Sequence, residues 1–152
     1  MARRSCCRFL KRSEGVAMVE FAILLTVLML IILGILQFGL AWYAKYVITN
    51  ATREGARYGV IYRYDTSGNR IPPSNLTAPN RIQDVVNNYI TGLLPGGSWT
   101  VPTPSGLGYT RANPGDDLTV KVDCTNPWDL LGNFIPTLKN MTFSSSTTMK
   151  SE

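Results

Sequence analysis

The chain of 152 residues has no histidine and three cysteines, and its charged residues make up 16% of the total. Without histidine the commonest general base and metal ligand is missing, and no cysteine can be activated by a neighbouring imidazole. No glycine-rich phosphate loop and no zinc-ligand spacing occurs either. An enzyme is therefore not expected, nor a metal or cofactor. Asp116, Asp117 and Asp123 could offer oxygen ligands to calcium, but Pro114-Gly115-Asp116-Asp117 is more simply a turn leading into a strand.

Charge is scarcest between Phe21 and Ala44, where 24 residues carry none. About 20 apolar residues cross a bilayer. The run exceeds the 7–15 residues or so of a secretory signal core and is followed by no small-residue cleavage site, so it is expected to remain as a membrane helix. What charge there is lies mostly in front of it. Arg3, Arg4, Arg8, Lys11 and Arg12 against Glu14 place +4 of the chain's net +5 in residues 1–15, leaving +1 for the rest. Such a tail marks the cytoplasmic flank of a spanning helix, with everything after about Lys45 on the far side, and argues against nucleic-acid binding. Of the cysteines, Cys6 and Cys7 then stay inside. Cys124 is left without an intramolecular partner and is read as a free thiol on a buried strand face. Pairing between chains through Cys124 and palmitoylation of Cys6-Cys7 are the alternatives.

One carboxylate, Glu20, lies inside the first turns of the apolar run. A charge there is costly, so it calls for a functional reason. It sits in "SEGVAMVEF", five residues after Gly15 and directly before Phe21. This junction resembles the processing site of type IV prepilins. The resemblance implies that a membrane aspartic protease, the prepilin peptidase, cuts between Gly15 and Val16 and leaves Glu20 as the fifth mature residue. Gly15 has no side chain to obstruct a protease and is a poor helix residue, so the helix is expected to begin just after it. The new amine on Val16 would lie about 6 Å from Glu20 along the helix axis. In the pilin family the resemblance implies that Glu20 pairs with this amine on a neighbouring subunit, so that neither charge is left alone in the membrane or filament. The plainer reading is a carboxylate at a helix end, snorkelling to the interface or interacting with the helix dipole.

Good helix formers continue without proline through "AKYVITNATREGARYGVIYR", so a helix over 16–60 would stand well clear of the membrane. Ala51-Thr52-Arg53-Glu54-Gly55-Ala56-Arg57 is similar to the A-x-x-E-G-A-R signature of TadE-like proteins, the pseudopilins of tight-adherence (Tad, or Flp) pilus systems. The earlier "VEFAILLTVLMLIILGILQFG" resembles the same family, although many members have proline where this chain has Thr26. For Arg53, Glu54, Gly55, Ala56 and Arg57 two roles are expected, packing against the following domain first and subunit contact second. Gly55 and Gly59 offer the close approach, and Glu54–Arg57 a weak i,i+3 pair.

Three regions follow: a basic leader at 1–15, a transmembrane and projecting helix at 16–60, and a small extracytoplasmic domain at 61–152. Asp65–Pro79 is a loop, in which Asn75-Leu76-Thr77 is discounted as a glycosylation acceptor in a bacterial protein. In "NRIQDVVNNYITGLL" the apolar Ile82, Val85, Val86, Tyr89, Ile90 and Leu93 predict an amphipathic helix, capped by Asn80 with Gln83 and closed by Pro95-Gly96-Gly97. Leu118, Val120, Val122 and Cys124 alternate with polar residues as in a half-buried strand. A weaker strand is expected near the C-terminus, with Met141, Phe143 and Met149 inward, and a short one at Trp99–Val101. Trp128 and Phe134, in the connection between, are expected to plug the core. The last residues, Thr148–Glu152, resemble the terminal strand of TadE-like proteins. The fold expected is α+β: a long transmembrane helix projecting into a small domain with a second helix and a short antiparallel sheet.

The function that the resemblance implies is that of a pseudopilin or minor pilin in assembly, adhesion or secretion. Its partners would be the prepilin peptidase, other pilins and pseudopilins of the same system, the inner-membrane pilus assembly platform and the lipid bilayer. It would sit in the bacterial cytoplasmic membrane with a cytoplasmic N-terminus, or pass into the extracellular pilus. The alternative is an uncleaved single-pass protein whose outer domain binds a ligand or scaffolds a secretion complex.

Overall fold

The structure is a computed structural model that describes residues 7–94, 98–111, 113–125 and 142–151, with side-chain surroundings from residue 15 onward. One helix dominates it. Helix α1 runs from Cys7 to Val60, 54 residues or about 81 Å. Its most apolar stretch reaches a mean hydropathy of 2.8, and none of that stretch is buried within the chain. The helix is thus long and apolar enough to cross a membrane once.

The helix does not begin just after Gly15, as the sequence suggested, but runs through it from Cys7. One glycine costs a helix about 1 kcal/mol relative to alanine, and no proline stands near it to turn that cost into a break. Nearer its other end α1 changes role. Ala44, Val47, Ile48, Ala51 and Ala56 are all buried, and with Gly55 and Gly59 they recur every three or four residues along the packed part of the helix.

A tight reversal follows α1. Asp65 Oδ1 accepts from the backbone amides of Ser67 and Asn69, both at 2.8 Å, and Gly68 adopts φ 78° at the tip. Helix α2 spans Ile82–Leu93. The cap expected from Asn80 and Gln83 is instead made one residue later by Arg81 and Asp84. The Asp84 carboxylate accepts from the Arg81 amide at 3.2 Å and from its guanidinium at 3.0 and 3.1 Å. A carboxylate reaching two sets of donors outcompetes the neutral Gln83. The buried residues of α2 are Ile82, Val86 and Ile90, continued by Leu94 just beyond its end; Leu93, expected in the core, is 40% exposed. Its place is taken by Leu94 because a strict four-residue repeat from Ile82 lands there. Pro95-Gly96-Gly97 lie outside the described residues.

Among the described residues three antiparallel strands form one sheet, β1 (Ser98–Thr100), β2 (Asp117–Thr125) and β3 (Thr142–Lys150), in that spatial order. Strand β1 starts at Ser98 and ends before Val101, one residue earlier than expected. A single turn of helix, α3, occupies Leu107–Thr110. On β2 the alternation holds, with Leu118, Val120, Val122 and Cys124 fully buried. They pair in register with Met149, Thr147, Ser145 and Phe143 of β3. This inner face packs on α1 and α2, giving the α+β arrangement the pattern implied. Trp128, Phe134 and Met141 lie outside the described residues.

Candidate processing and assembly site

The residues singled out by the sequence separate into two groups on one helix. In the first, Gly15, Val16, Glu20 and Phe21 are exposed among the described residues. A Cβ on Gly15 would meet no heavy atom within 4 Å, and Val16 and Phe21 are 66% and 65% exposed. Glu20 is exposed too and has no partner among the described residues. Val16 and Glu20 are one helical turn apart on the same face. Among the described residues nothing packs on Gly15, and nothing neutralises Glu20, a carboxylate in an apolar segment. Thr26 donates its hydroxyl to the Ala22 carbonyl at 2.8 Å, which removes its polarity from the lipid-facing surface.

The second group, Arg53 to Arg57, is split by the helix. Gly55 and Ala56 face inward and are buried, whereas Arg53 and Arg57 face outward. A Cβ on Gly55 would strike Val86 Cγ2 and come within 3.4 Å of Ile82 Cγ2 and Val120 Cγ1. Gly59 is equally close to Leu118 Cδ2 and lies 2.6 Å from Ile82 Cδ1 by the same measure. The two glycines let α2 and β2 close on α1. Glu54 and Arg57 form an exposed pair at 3.5 Å, of little energetic weight.

One part of this contact was not anticipated. Thr52, fully buried, hydrogen-bonds Thr147 Oγ1 at 2.9 Å and the Thr49 carbonyl at 2.8 Å, and Ser145 Oγ donates to Thr49 Oγ1 at 3.3 Å. The ammonium of Lys45 donates to the Ser144 carbonyl. Hydroxyls thus stitch α1 to β3, where aliphatic packing was expected. The signal was present as Ser145 and Thr147 at strand spacing opposite Thr49 and Thr52 at helix spacing.

Electrostatic perturbation in the outer domain follows visible contacts. The Arg81 guanidinium and amide hold the Asp84 carboxyl below its ordinary range. Asp65 is lowered mainly by the Asn69 amide. Burial pushes the Cys124 thiol up, which favours its unreactive protonated form. Among the described residues no group of three or more potential ligands is placed to hold a metal ion. Asp123 instead pairs with Lys121 at 2.9 Å.

One comparison with known proteins matches the greater part of α1. Residues 15–57 match the family model described as TadE-like protein, bearing out the resemblance read from the sequence. The match begins at Gly15, includes Glu20 and ends at Arg57, so it covers both groups; the α+β domain and the terminal strand lie beyond it. No curated protein and no solved structure matches the chain.

Proposed function

We propose that this protein is a pseudopilin or minor pilin of a Tad-type pilus system, cut between Gly15 and Val16 by a prepilin peptidase and held in the cytoplasmic membrane by α1 until it assembles. The match of residues 15–57 to the TadE-like family carries this reading. The exposed Gly15 agrees with it, because a glycine that packs against none of the described residues is free to serve a protease. Glu20 is the residue assigned to subunit pairing. In a bundle of such helices the Val16 amine of a neighbour would neutralise it. The role is structural and not enzymatic, with the N-terminus cytoplasmic and the α+β domain on the far side.

Mass spectrometry of the mature N-terminus, from cells with and without the prepilin peptidase, tests the reading. A chain beginning at Val16 only when the peptidase is present is expected. Full-length protein in both strains would leave the second reading, an uncut anchor whose outer domain scaffolds a complex. One observation favours that alternative: α1 is continuous from Cys7 through Gly15, and a protease must unwind it locally to reach the bond.

A further inference from the structure

We propose that the outward face of α1 between Trp42 and Arg53 seats the protein on the outer leaflet, with an anionic phospholipid headgroup held in the furrow lined by Trp42, Lys45, Tyr46, Thr49, Asn50 and Arg53. The proposal rests on α1 spanning the bilayer and is independent of cleavage at Gly15.

The helix is two-sided in this region. Ala44, Val47, Ile48 and Ala51 are buried against the outer domain, while Trp42 and Tyr46 on the other side are 69% and 62% exposed. Positions 42, 46, 49 and 53 follow helical spacing, so these side chains form one stripe. The stripe continues the lipid-facing surface through Leu24, Leu28, Ile31, Ile35 and Phe38, all exposed. Composition along this face changes in the order of a membrane boundary: aliphatic up to Phe38, then Trp42, Lys45 and Tyr46 together, then Arg53. Aromatic rings with one polar edge settle at headgroup depth, and cations are attracted to anionic headgroups just above.

The distances agree. The 22 residues from Phe21 to Trp42 cover about 33 Å, the thickness of the hydrocarbon core with a modest tilt. Helical side chains lean towards the N-terminus, so the long Arg53 side chain reaches back towards Trp42 and the membrane. Lys45 commits one donor to the Ser144 carbonyl and retains two for a phosphate oxygen. The outer domain packs on the other side of the helix and reaches the edge of this face only at Thr49 and Lys45, through Ser145 and Ser144, leaving the exposed Trp42, Tyr46 and Arg53 to lean on the lipid.

The test uses the full chain in floated vesicles of phosphatidylcholine with or without phosphatidylglycerol. In a variant with Trp42 as sole tryptophan (Trp99→Phe, Trp128→Phe), spin-labelled phosphatidylglycerol should quench Trp42 more strongly than equally labelled phosphatidylcholine. Arg53→Gln should weaken that preference about fivefold, the worth of one charge at an anionic surface. Tyr46→Cys, with all tryptophans native, should react slowly with an impermeant maleimide, and Ser146→Cys, on the outer sheet face, quickly. Equal quenching by the two lipids would overturn the proposal, as would equal labelling at the two cysteines. Quenching insensitive to Arg53→Gln, or Tyr46→Cys protection that disappears on dilution and so reports a second copy, would do the same. A chain absent from the floated vesicles removes the span itself.

Discussion

Replacing Gly55 with alanine tests the packing of α1 against the outer domain, because two effects of known sign oppose each other. Alanine favours a helix over glycine by about 0.8–1.0 kcal/mol. Against this, the added methyl meets Val86 Cγ2, a stiff β-branched side chain fixed by its own helix, with Ile82 and Val120 blocking the retreat at 3.4 Å. Overpacking of this kind costs about 1–3 kcal/mol. The clash should win, leaving Gly55→Ala less stable by about 1 kcal/mol. For a domain of this size that lowers the thermal midpoint by about 4–8 °C. Gly34→Ala and Gly39→Ala, where a Cβ would meet nothing within 4 Å, keep only the propensity gain and should not lower the midpoint. Gly59→Ala falls between, since its obstacles are the far ends of Leu118 and Ile82, which can turn about more bonds than Val86 Cγ2. The assay is thermal unfolding of the full chain in mild detergent, followed by near-ultraviolet circular dichroism. Adding Val86→Ala should recover part of the Gly55→Ala loss, a coupling of about 1 kcal/mol. A Gly55→Ala protein as stable as the unmodified one would refute the close approach of α2.

Thr52→Val should cost about 1 kcal/mol, because it removes the partner of the half-buried Thr147 hydroxyl, and Thr52→Ser should cost less; equal unfolding midpoints for both would dismiss the hydroxyl stitching. Glu20→Ala should insert in the membrane at least as well as the unmodified chain, yet co-purify poorly with other components of the pilus system, with Glu20→Asp intermediate. Full co-purification of Glu20→Ala at matched membrane levels would make the carboxylate an interfacial anchor only. The Arg81–Asp84 pair lowers the folded-state pKa of Asp84, so its contribution is present above the unfolded value of about 3.9 and is lost as pH falls through the lowered folded value. The stability gap between the unmodified protein and Asp84→Asn should therefore close on acidification, and a gap that persists at low pH would exclude the pair as its source.

What could be read in advance depended on periodicity. The spanning helix is legible as one unbroken apolar run, the α2 stripe and the β2 alternation as repeats, and burial followed the repeats at Ile82, Val86, Ile90, Leu118, Val120 and Val122. The misreadings lie where local rules compete. Gly15 argues for a helix end, but the residues on both sides outvote it. Asn80 and Gln83 match a capping pattern that the ionised Arg81–Asp84 pair displaces. The Thr49–Thr52–Ser145–Thr147 contact pairs residues almost a hundred positions apart: the helix and strand spacings of these hydroxyls are each legible, but no local pattern says that they meet. At the candidate site the residue identities were plain because they belong to one segment. Their division into free (Gly15, Glu20) and packed (Gly55, Ala56) follows from where the outer domain closes on the helix.

That membrane anchor and domain core share one unbroken helix makes the protein behave like a vane fixed to a shaft. No hinge separates the lipid-facing turns from Ala44, Val47 and Ile48. Sliding α1 along its axis must lift the α+β domain by the same amount, and turning it must swing the domain around that axis. Inserting one residue into the exposed turns near Ile35 would rotate the domain by about 100° and raise it by about 1.5 Å. Inserting seven would nearly restore its bearing while lifting it by about 10 Å. Two such insertions would thus separate, in a living cell, the importance of the direction the domain faces from the importance of its height above the membrane.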